Sequence, residues 1–530
     1  MSTFYQRLHA LSPDILRSLK RGIEKESLRV RADGRLADTP HPAALGATLT
    51  HPHITTDFSE SQLELITGVH DSAEACVREI TQIHQFVYRH LGEEMLWGSS
   101  MPCGLPARDE DIPIGRYGTS NVGRAKSVYR TGLGHRYGKR MQTISGIHYN
   151  FSLPPEIWAP LAHVEGRDGD LRAFQDDAYF ALIRNFRRRS WLLLYLFGAS
   201  PAVCSSFVEG REHALEKLAG NTLYLPHATS LRMGRLGYQS DAQASLAVSY
   251  NCLESYAGSL HGALTRPFPA YEAIGIQDPS GAYRQLSTTL LQIENEFYGT
   301  IRPKRPVASG ERPLHALRER GVEYVEVRCM DLDPFKPVGI DEPVMRFLDV
   351  FLLGCLLADS PADTPQENVA MSANQHRVAT HGREPGLALL RDGDEVSLAE
   401  WAIELITECA PVAEAIDAAR GGTAYRDALG AAAACLADPA RLPSARVLQS
   451  MANAHGNSYV RFALATSIAD LDAIMALPWS DADEARFSKM AADSIAQQAA
   501  IEAADTEPFE AFRLNYMSEA QLGTPGLRTC

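Results

Sequence analysis

Four short segments place carboxylates and a histidine where a strand would half-bury them. In Gly22-Ile-Glu-Lys-Glu-Ser-Leu-Arg-Val30, a period of two puts Glu24 and Glu26 on one face with Leu28 and Val30. In Thr55–Thr67, Asp57 precedes Phe58 in a turn, and Gln62, Glu64 and Ile66 then share a strand face. Gly146–Ser152 turns His148, Asn150 and Ser152 away from Ile147, Tyr149 and Phe151. Gly321–Arg328 puts Glu326 and Arg328 on the face of Tyr324. Two like charges ~4 Å apart at an effective dielectric of ~20 repel by about 4 kcal/mol, and a divalent cation reverses that sign. Taken singly, the segments also read as solvated edge strands, a capped turn or a hydrogen-bonded structural histidine. Together they describe an oxygen-rich site for Mg²⁺ or Mn²⁺. Zinc suits them less, because no cysteine or paired-histidine spacing accompanies them.

A second chemistry lies between Ile112 and Pro155, a stretch without an acidic residue. Arg116–Arg140 carries seven Arg and Lys residues among Gly, Ser, Thr and Tyr, which calls for an anionic partner or a flexible basic surface loop. Such a segment could track single-stranded nucleic acid or hold phosphate and carboxylate groups. Two standard phosphate loops fail here. A P-loop needs glycine where Leu133 stands and Ser or Thr where Arg140 stands. Gly132, Gly134 and Gly138 miss the dinucleotide spacing by one residue. A further cationic group, Arg302, Lys304 and Arg305, would screen nucleotide phosphates or form a self-solvating turn.

The elements that must position these groups are legible in outline. Ile23–Val30, Gln62–Thr67, Gly146–Ser152 and Glu323–Arg328 read as strands, and Ser72–Leu91 reads as a helix. Alanine-rich Leu398–Ala419 and Phe487–Ala504 read as amphipathic helices. The expectation is an α+β core over residues 1–394 carrying the sites, with an Ala-rich helical part, 395–530, packed on it as one functional unit. Ser360–Arg383 reads as a boundary loop or lid. The 530 residues are 45% hydrophobic and 22% charged, which excludes a disordered or disulfide-scaffold protein. A net charge of −14 argues against a general nucleic-acid binder. The longest apolar run, Trp191–Val203, is short of the ~20 residues of a bilayer span and reads as a buried helix. No signal peptide is visible, and nine scattered cysteines read as reduced thiols in a cytoplasmic protein.

The segments GIEKESLRV, TTDFSESQLELIT, IPIGRYGTSNVGRAKSVYRTGLGHRYGKRMQTISGIHYNFSLP, TSLRMGRLGY, LQIENEFYGTIRPKR and GVEYVEVR resemble, in order, the glutamate–cysteine ligases of the proteobacterial type. The resemblance runs from about residue 20 to 340 and continues more weakly through NSYVRFAL. It implies a glutamine-synthetase-like fold in which a curved antiparallel sheet lines a funnel, with helices outside. It also implies ATP, two or three Mg²⁺ ions, L-glutamate and L-cysteine, and the first step of glutathione synthesis. Glu24, Glu26, Asp57, Glu64, His148 and Glu326 match the family's metal positions, and Arg328 matches the arginine that meets the transferred phosphoryl group. Gln142 and Ile144 would lie near the glutamate chain. Phe58, Tyr129, Leu133, Arg232, Tyr238 and Tyr298 would line the cysteine pocket. Glutathione is implied as a feedback inhibitor and a monomer as the working state, without nucleic-acid or membrane partners.

These residue types suit a reaction with little covalent protein chemistry, in which metals and Arg328 offset the repulsion between two anions. Three rivals remain at this level. A ligase of the same architecture could use another amine, such as 2-aminobutyrate, since a methyl-sized difference is worth only ~1–3 kcal/mol. A two-metal hydrolase would need neither ATP nor a cysteine pocket. A nucleic-acid binder would leave Glu24, Glu26, Glu64 and Glu326 without a role.

Overall fold

The computed structural model describes residues 3–237, 241–244 and 246–524. Seven strands form its main sheet: β1 (Lys20–Val30), β2 (Ile54–Thr56), β3 (Gln62–Ile66), β4 (Met95–Leu96), β5 (Ile147–Ser152), β6 (Ile301–Lys304) and β7 (Tyr324–Met330). Their order is β2-β3-β1-β5-β7-β6, with β4 on the far end of β1, and the pairings are antiparallel. The expected α+β class and all four expected strands are present. Register does the work of assembly: Glu24 faces His148 across β1 and β5, Glu26 faces Glu64 across β1 and β3, and Glu326 faces Asn150 and Arg302 on its two sides.

The opposite face explains why these segments are strands. Ile23, Ile147, Tyr149, Phe151, Val325 and Val327 are buried against the helices Leu171–Arg189 and Glu342–Leu357, which contribute Phe180, Ile183, Phe347 and Phe351 to the same core. Leu63 and Leu65 pack on Ile80, Ile83 and Val87 of the helix Ala73–His90. Burying each such side chain is worth roughly 1.5–3 kcal/mol, so one apolar face secures the sheet while the other stays polar. A buried ion pair, Arg21 to Asp349 at 2.9 Å, fixes the start of β1 against helix Glu342–Leu357, and the Tyr149 hydroxyl donates to Asp349 at 2.6 Å. A fully desolvated pair of this kind specifies register more than it adds stability.

One open alternative is closed and two expectations are corrected. The basic segment is not a loop: Asn121–Tyr137 is a helix, begun by the Ser120 hydroxyl accepting from Gly123 N and ended at Gly138, whose φ of 82° suits glycine. Gly132 within it permits a close approach, since a Cβ there would lie 2.3 Å from Gln292 Oε1. Most of Ser360–Arg383 is also helical, because Thr364 caps and Pro365 opens the helix Pro365–His381. The thiols are not all reduced, for Cys103 and Cys204 form a disulfide with Cα atoms 5.2 Å apart. Tertiary proximity made that pair across 101 residues of sequence, where spacing carries no signal.

Trp191–Phe197 is a buried helix, as expected, but the chain then turns into the strand Ala202–Cys204. Among the described residues no helix is long and apolar enough to cross a membrane. The C-terminal helices reach back into the fold. On Asp481–Ala504, Phe487 stacks on Phe86 at 5.3 Å, and Glu502 accepts from the Thr119 amide at 2.7 Å, just ahead of the helix Asn121–Tyr137.

Candidate active site

On the polar face of the sheet, Glu24, His148 and Glu326 each offer a ligand atom, and these atoms lie within 4.8 Å of one another. His148 Nδ1 is 3.2 Å from Glu24 Oε2 and 3.8 Å from Glu326 Oε1, while its Nε2 is 3.4 Å from Glu26 Oε1. Asn150, which shares the period-two face of His148, donates to Glu24 Oε1 at 2.8 Å. The Gly146 amide donates to Glu26 Oε2 at 2.7 Å. Cations flank the other side: Lys304 Nζ is 3.3 Å from Glu326 Oε1, and Arg328 Nη1 and Arg302 Nη1 are 3.2 and 3.8 Å from Oε2.

Electrostatics divides the carboxylates into two sets. Burial would raise the Glu326 pKa, but Lys304, Arg328, His148 and Arg302 outweigh it and hold the group well below the usual range. Glu24 is also lowered, its burial offset by the hydrogen bond from His148. Burial, together with the Arg328 charge, lowers the His148 pKa and keeps the ring neutral, the form that binds metal. At Glu26 and Glu64 the compensation, from Arg232, Arg328 and the Gly146 amide at the first and Arg130 at the second, is too weak to offset burial and the neighbouring acids. Burial and the Asp57 charge push Glu26 up to about 8, and burial with the charges of Glu24, Asp57 and Glu26 raises Glu64 well above the carboxylate range. His148 Nε2 and Glu326 Oε2 make no hydrogen bond though both are buried. Crowded acids and buried acceptors of this kind fit divalent cations.

A stability prediction follows with a definite sign. Glu26 and Glu64 bind their protons more tightly folded than unfolded, so in metal-free protein these two groups contribute a downward slope of stability as pH rises from about 4.5 towards 8. Mg²⁺ should flatten that slope. Melting temperatures between roughly pH 5.5 and 8, with EDTA and with Mg²⁺, test this; equal slopes in the two conditions would contradict a metal role for these carboxylates.

A cavity of about 610 Å³ opens over the cluster. Of the residues expected in the site, Glu24, Asp57, Phe58, Glu64, Tyr129, Leu133, Gln142, His148, Tyr298, Arg302, Lys304, Glu326 and Arg328 line it. Tyr129 and Leu133 are delivered one helical turn apart by Asn121–Tyr137, and Gln142 Nε2 donates to the Tyr298 hydroxyl at 3.0 Å. A second cavity, of about 1020 Å³, shares Tyr298 and Arg328 with the first.

The remaining candidates lie elsewhere. Glu26 is buried behind His148. Ile144 sits in the apolar cluster with Phe58 and Leu133, its carbonyl accepting from Gln62 Nε2. Arg232 is wholly buried and donates to the Arg328 carbonyl at 2.9 Å, so it supports the strand that carries Arg328. Arg305 pairs with Glu323 at 3.4 Å instead of lining the cavity. Tyr238 lies outside the described residues. Lys126, Arg130, Phe512 and Tyr516 line the cavity without having been singled out; the first two were visible only as members of the basic segment.

Neutral imidazole, paired carboxylates and flanking cations together make a site for metal-assisted handling of anionic groups, phosphates above all. Residues 6–378 match the family described as Glutamate-cysteine ligase. The chain is 50% identical to a glutamate–cysteine ligase of Azotobacter vinelandii over 98% of its own length and 99% of that protein's. It is 47% identical to one of Alcanivorax borkumensis, over 98% and 100%. The crystal structure of the Francisella tularensis glutamate–cysteine ligase in complex with AMP superposes with a TM-score of 0.89 at 37% identity, covering 95% of this chain and 98% of that one. The chain belongs to the glutamate–cysteine ligase family.

Proposed function

We propose that this chain is an ATP-dependent ligase that joins the γ-carboxylate of L-glutamate to the amine of L-cysteine. The products are γ-glutamylcysteine, ADP and phosphate, and the reaction is the first step of glutathione biosynthesis. Kinship with glutamate–cysteine ligases along nearly the whole chain supports the reaction, and the AMP bound by the Francisella relative supports the nucleotide. The observation that carries the reading is the convergence of Glu24, His148 and Glu326 with Lys304 and Arg328 in a cavity also walled by Phe58, Tyr129 and Leu133.

Glu24, His148 and Glu326 would hold one Mg²⁺, with Glu26, Asp57 and Glu64 available to a second. Bound Mg²⁺ supplies positive charge where ATP and the glutamate carboxylate meet. Arg328, its backbone carbonyl held by Arg232, aims a guanidinium at the phosphoryl group, and Lys304 and Arg302 take the remaining phosphate charge. A γ-carboxylate oxygen attacks the terminal phosphorus and ADP leaves. The cysteine amine then attacks the acyl carbon, phosphate departs, and the amine proton passes to a nearby carboxylate or to that phosphate. Phe58, Tyr129, Leu133 and Tyr298 suit a small thiol side chain.

Purified protein supplied with MgATP and L-glutamate should release ADP only when L-cysteine is added, one γ-glutamylcysteine per ADP by mass. Release with another amine and none with cysteine would keep the chemistry and change the acceptor. The proposal extends to glutathione as an inhibitor, since it contains the product's glutamyl-cysteine unit, and to a monomer working in the cytoplasm. Residues 395–530 would then act with the core as one unit.

A further inference from the structure

Glu296 is a buried carboxylate that no step of the reaction above uses. It ends the 3₁₀ turn Glu294–Glu296, two residues ahead of Tyr298. Its side chain meets the helix Asn121–Tyr137 in an ion pair with Arg136 at 2.9 Å, both side chains 0% exposed. The same oxygen, Oε1, accepts from the Tyr137 hydroxyl at 2.8 Å, and Oε2 accepts from the Gln292 amide at 2.6 Å. Arg136 directs its other donors to Gln285 Oε1 at 2.9 Å and to the carbonyls of Ser287 and Leu290 at 2.7 and 3.3 Å.

Two glutamines carry this anchorage to the cavity. Gln292 Nε2 donates to the Tyr129 carbonyl at 3.2 Å. Gln243 Nε2 donates to the Tyr137 hydroxyl at 3.1 Å and to the Glu296 carbonyl at 2.8 Å, while its Oε1 accepts from the Tyr298 amide at 3.1 Å. The rings of Tyr137 and Tyr298 meet edge to face with centroids 5.7 Å apart. Tyr298 is thus held at its backbone by Gln243 and at its hydroxyl by Gln142. Tyr129 and Tyr298, which both line the cavity, each reach Glu296 through one intervening glutamine.

Stability alone does not call for such a network. Desolvation offsets most of the Coulomb energy of a buried ion pair, and apolar side chains of equal volume often serve as well or better. Hydrogen bonds add what apolar contacts lack, a donor held against one acceptor at a set distance and angle. We propose that Glu296 is a positioning residue for the acceptor pocket. Through Gln292, Tyr137 and Gln243 it sets the gap between the helix face carrying Tyr129 and Leu133 and the ring of Tyr298. That gap limits the acceptor to a side chain of cysteine's size. The inference rests on the reaction and the acceptor pocket proposed above.

The test uses the full chain with Tyr137→Phe and Gln243→Leu, which cut the links and leave the Arg136 ion pair in place, and with Glu296→Gln. In the last, the amide oxygen can still accept from Arg136 and Tyr137, but its NH₂ group meets the Gln292 N–H donor to donor. Steady-state kinetics at saturating MgATP and glutamate compares cysteine with 2-aminobutyrate, of similar size, and norvaline, one methylene longer. The unaltered protein should prefer cysteine to norvaline by about 10-fold or more in kcat/KM. Each variant should raise the KM for cysteine about 10-fold and erase most of that preference. Meanwhile kcat at saturating cysteine and the KM for ATP should stay within about threefold, because only acceptor binding is altered. Cooperative thermal melts establish that the variants fold. An unchanged cysteine KM and acceptor preference in folded Tyr137→Phe and Gln243→Leu would overturn the proposal, whatever Glu296→Gln does. So would equal rises in every KM, or a fall in kcat alone, either of which marks a general loosening of the fold. An unaltered protein that ligates none of the three amines would instead bring down the reaction on which the inference depends.

Discussion

Glu326→Gln should lower kcat by about a thousandfold or more while the chain still folds. A carboxylate that helps hold a catalytic cation supports several kcal/mol of transition-state charge, and at ~1.4 kcal/mol per decade that is roughly three decades. Glutamine keeps the side-chain volume and an acceptor oxygen, so the loss reads out charge. Glu326 is also the anion that Lys304, Arg302 and Arg328 share, and its removal leaves three cations close together. Some stability should therefore be lost along with activity. A cooperative thermal melt would establish that the variant folds. Retention of a tenth of the activity by a folded variant would count against the metal role. Glu326→Ala should give the same kinetic result with a larger drop in melting temperature.

Arg328→Lys should reduce kcat by roughly 10²–10³-fold, the loss typical of removing one oriented donor from a developing anion. Arg328 Nη1 is 3.2 Å from Glu326 Oε2 and 3.4 Å from His148 Nδ1, so the guanidinium is already oriented by these two residues. Lysine keeps the charge but offers a point charge in place of a planar fork. The KM for cysteine should change little, because the role proposed for the residue is at the phosphoryl group. An effect confined to the cysteine KM, with kcat intact, would reassign Arg328 to the acceptor pocket.

The sequence by itself determined the site-bearing strands and the faces they present. Alternation in Gly146–Ser152 and Gly321–Arg328 is a local property, since a strand with one apolar face can bury only that face; in Gly22–Val30 the period of two alone puts Glu24 and Glu26 together, on the face of Leu28 and Val30. The orientation of Glu24, His148 and Glu326 was therefore readable before any fold was known. Their convergence was not. The pairing of Glu24 with His148, and of Glu326 with Asn150, is set by register between segments more than a hundred residues apart. That register depends on apolar packing against Leu171–Arg189 and Glu342–Leu357.

The same distinction separates the remaining readings. The basic segment announced an anionic partner through its composition. Only the Ser120 cap, Gly138 and the supports from Glu502 and Gln292 make it a helix that carries Tyr129 and Leu133 into the cavity. The resemblance places Arg232 in the cysteine pocket, and Arg305 reads like Arg302 as a phosphate-screening cation, yet burial turns the first into a backbone support and Glu323 draws the second aside. The Cys103–Cys204 bridge and the C-terminal wall of the cavity had no local signature at all. Each depends on which distant surfaces meet, and a linear pattern records what a residue can bury or donate, but not the partner it will find.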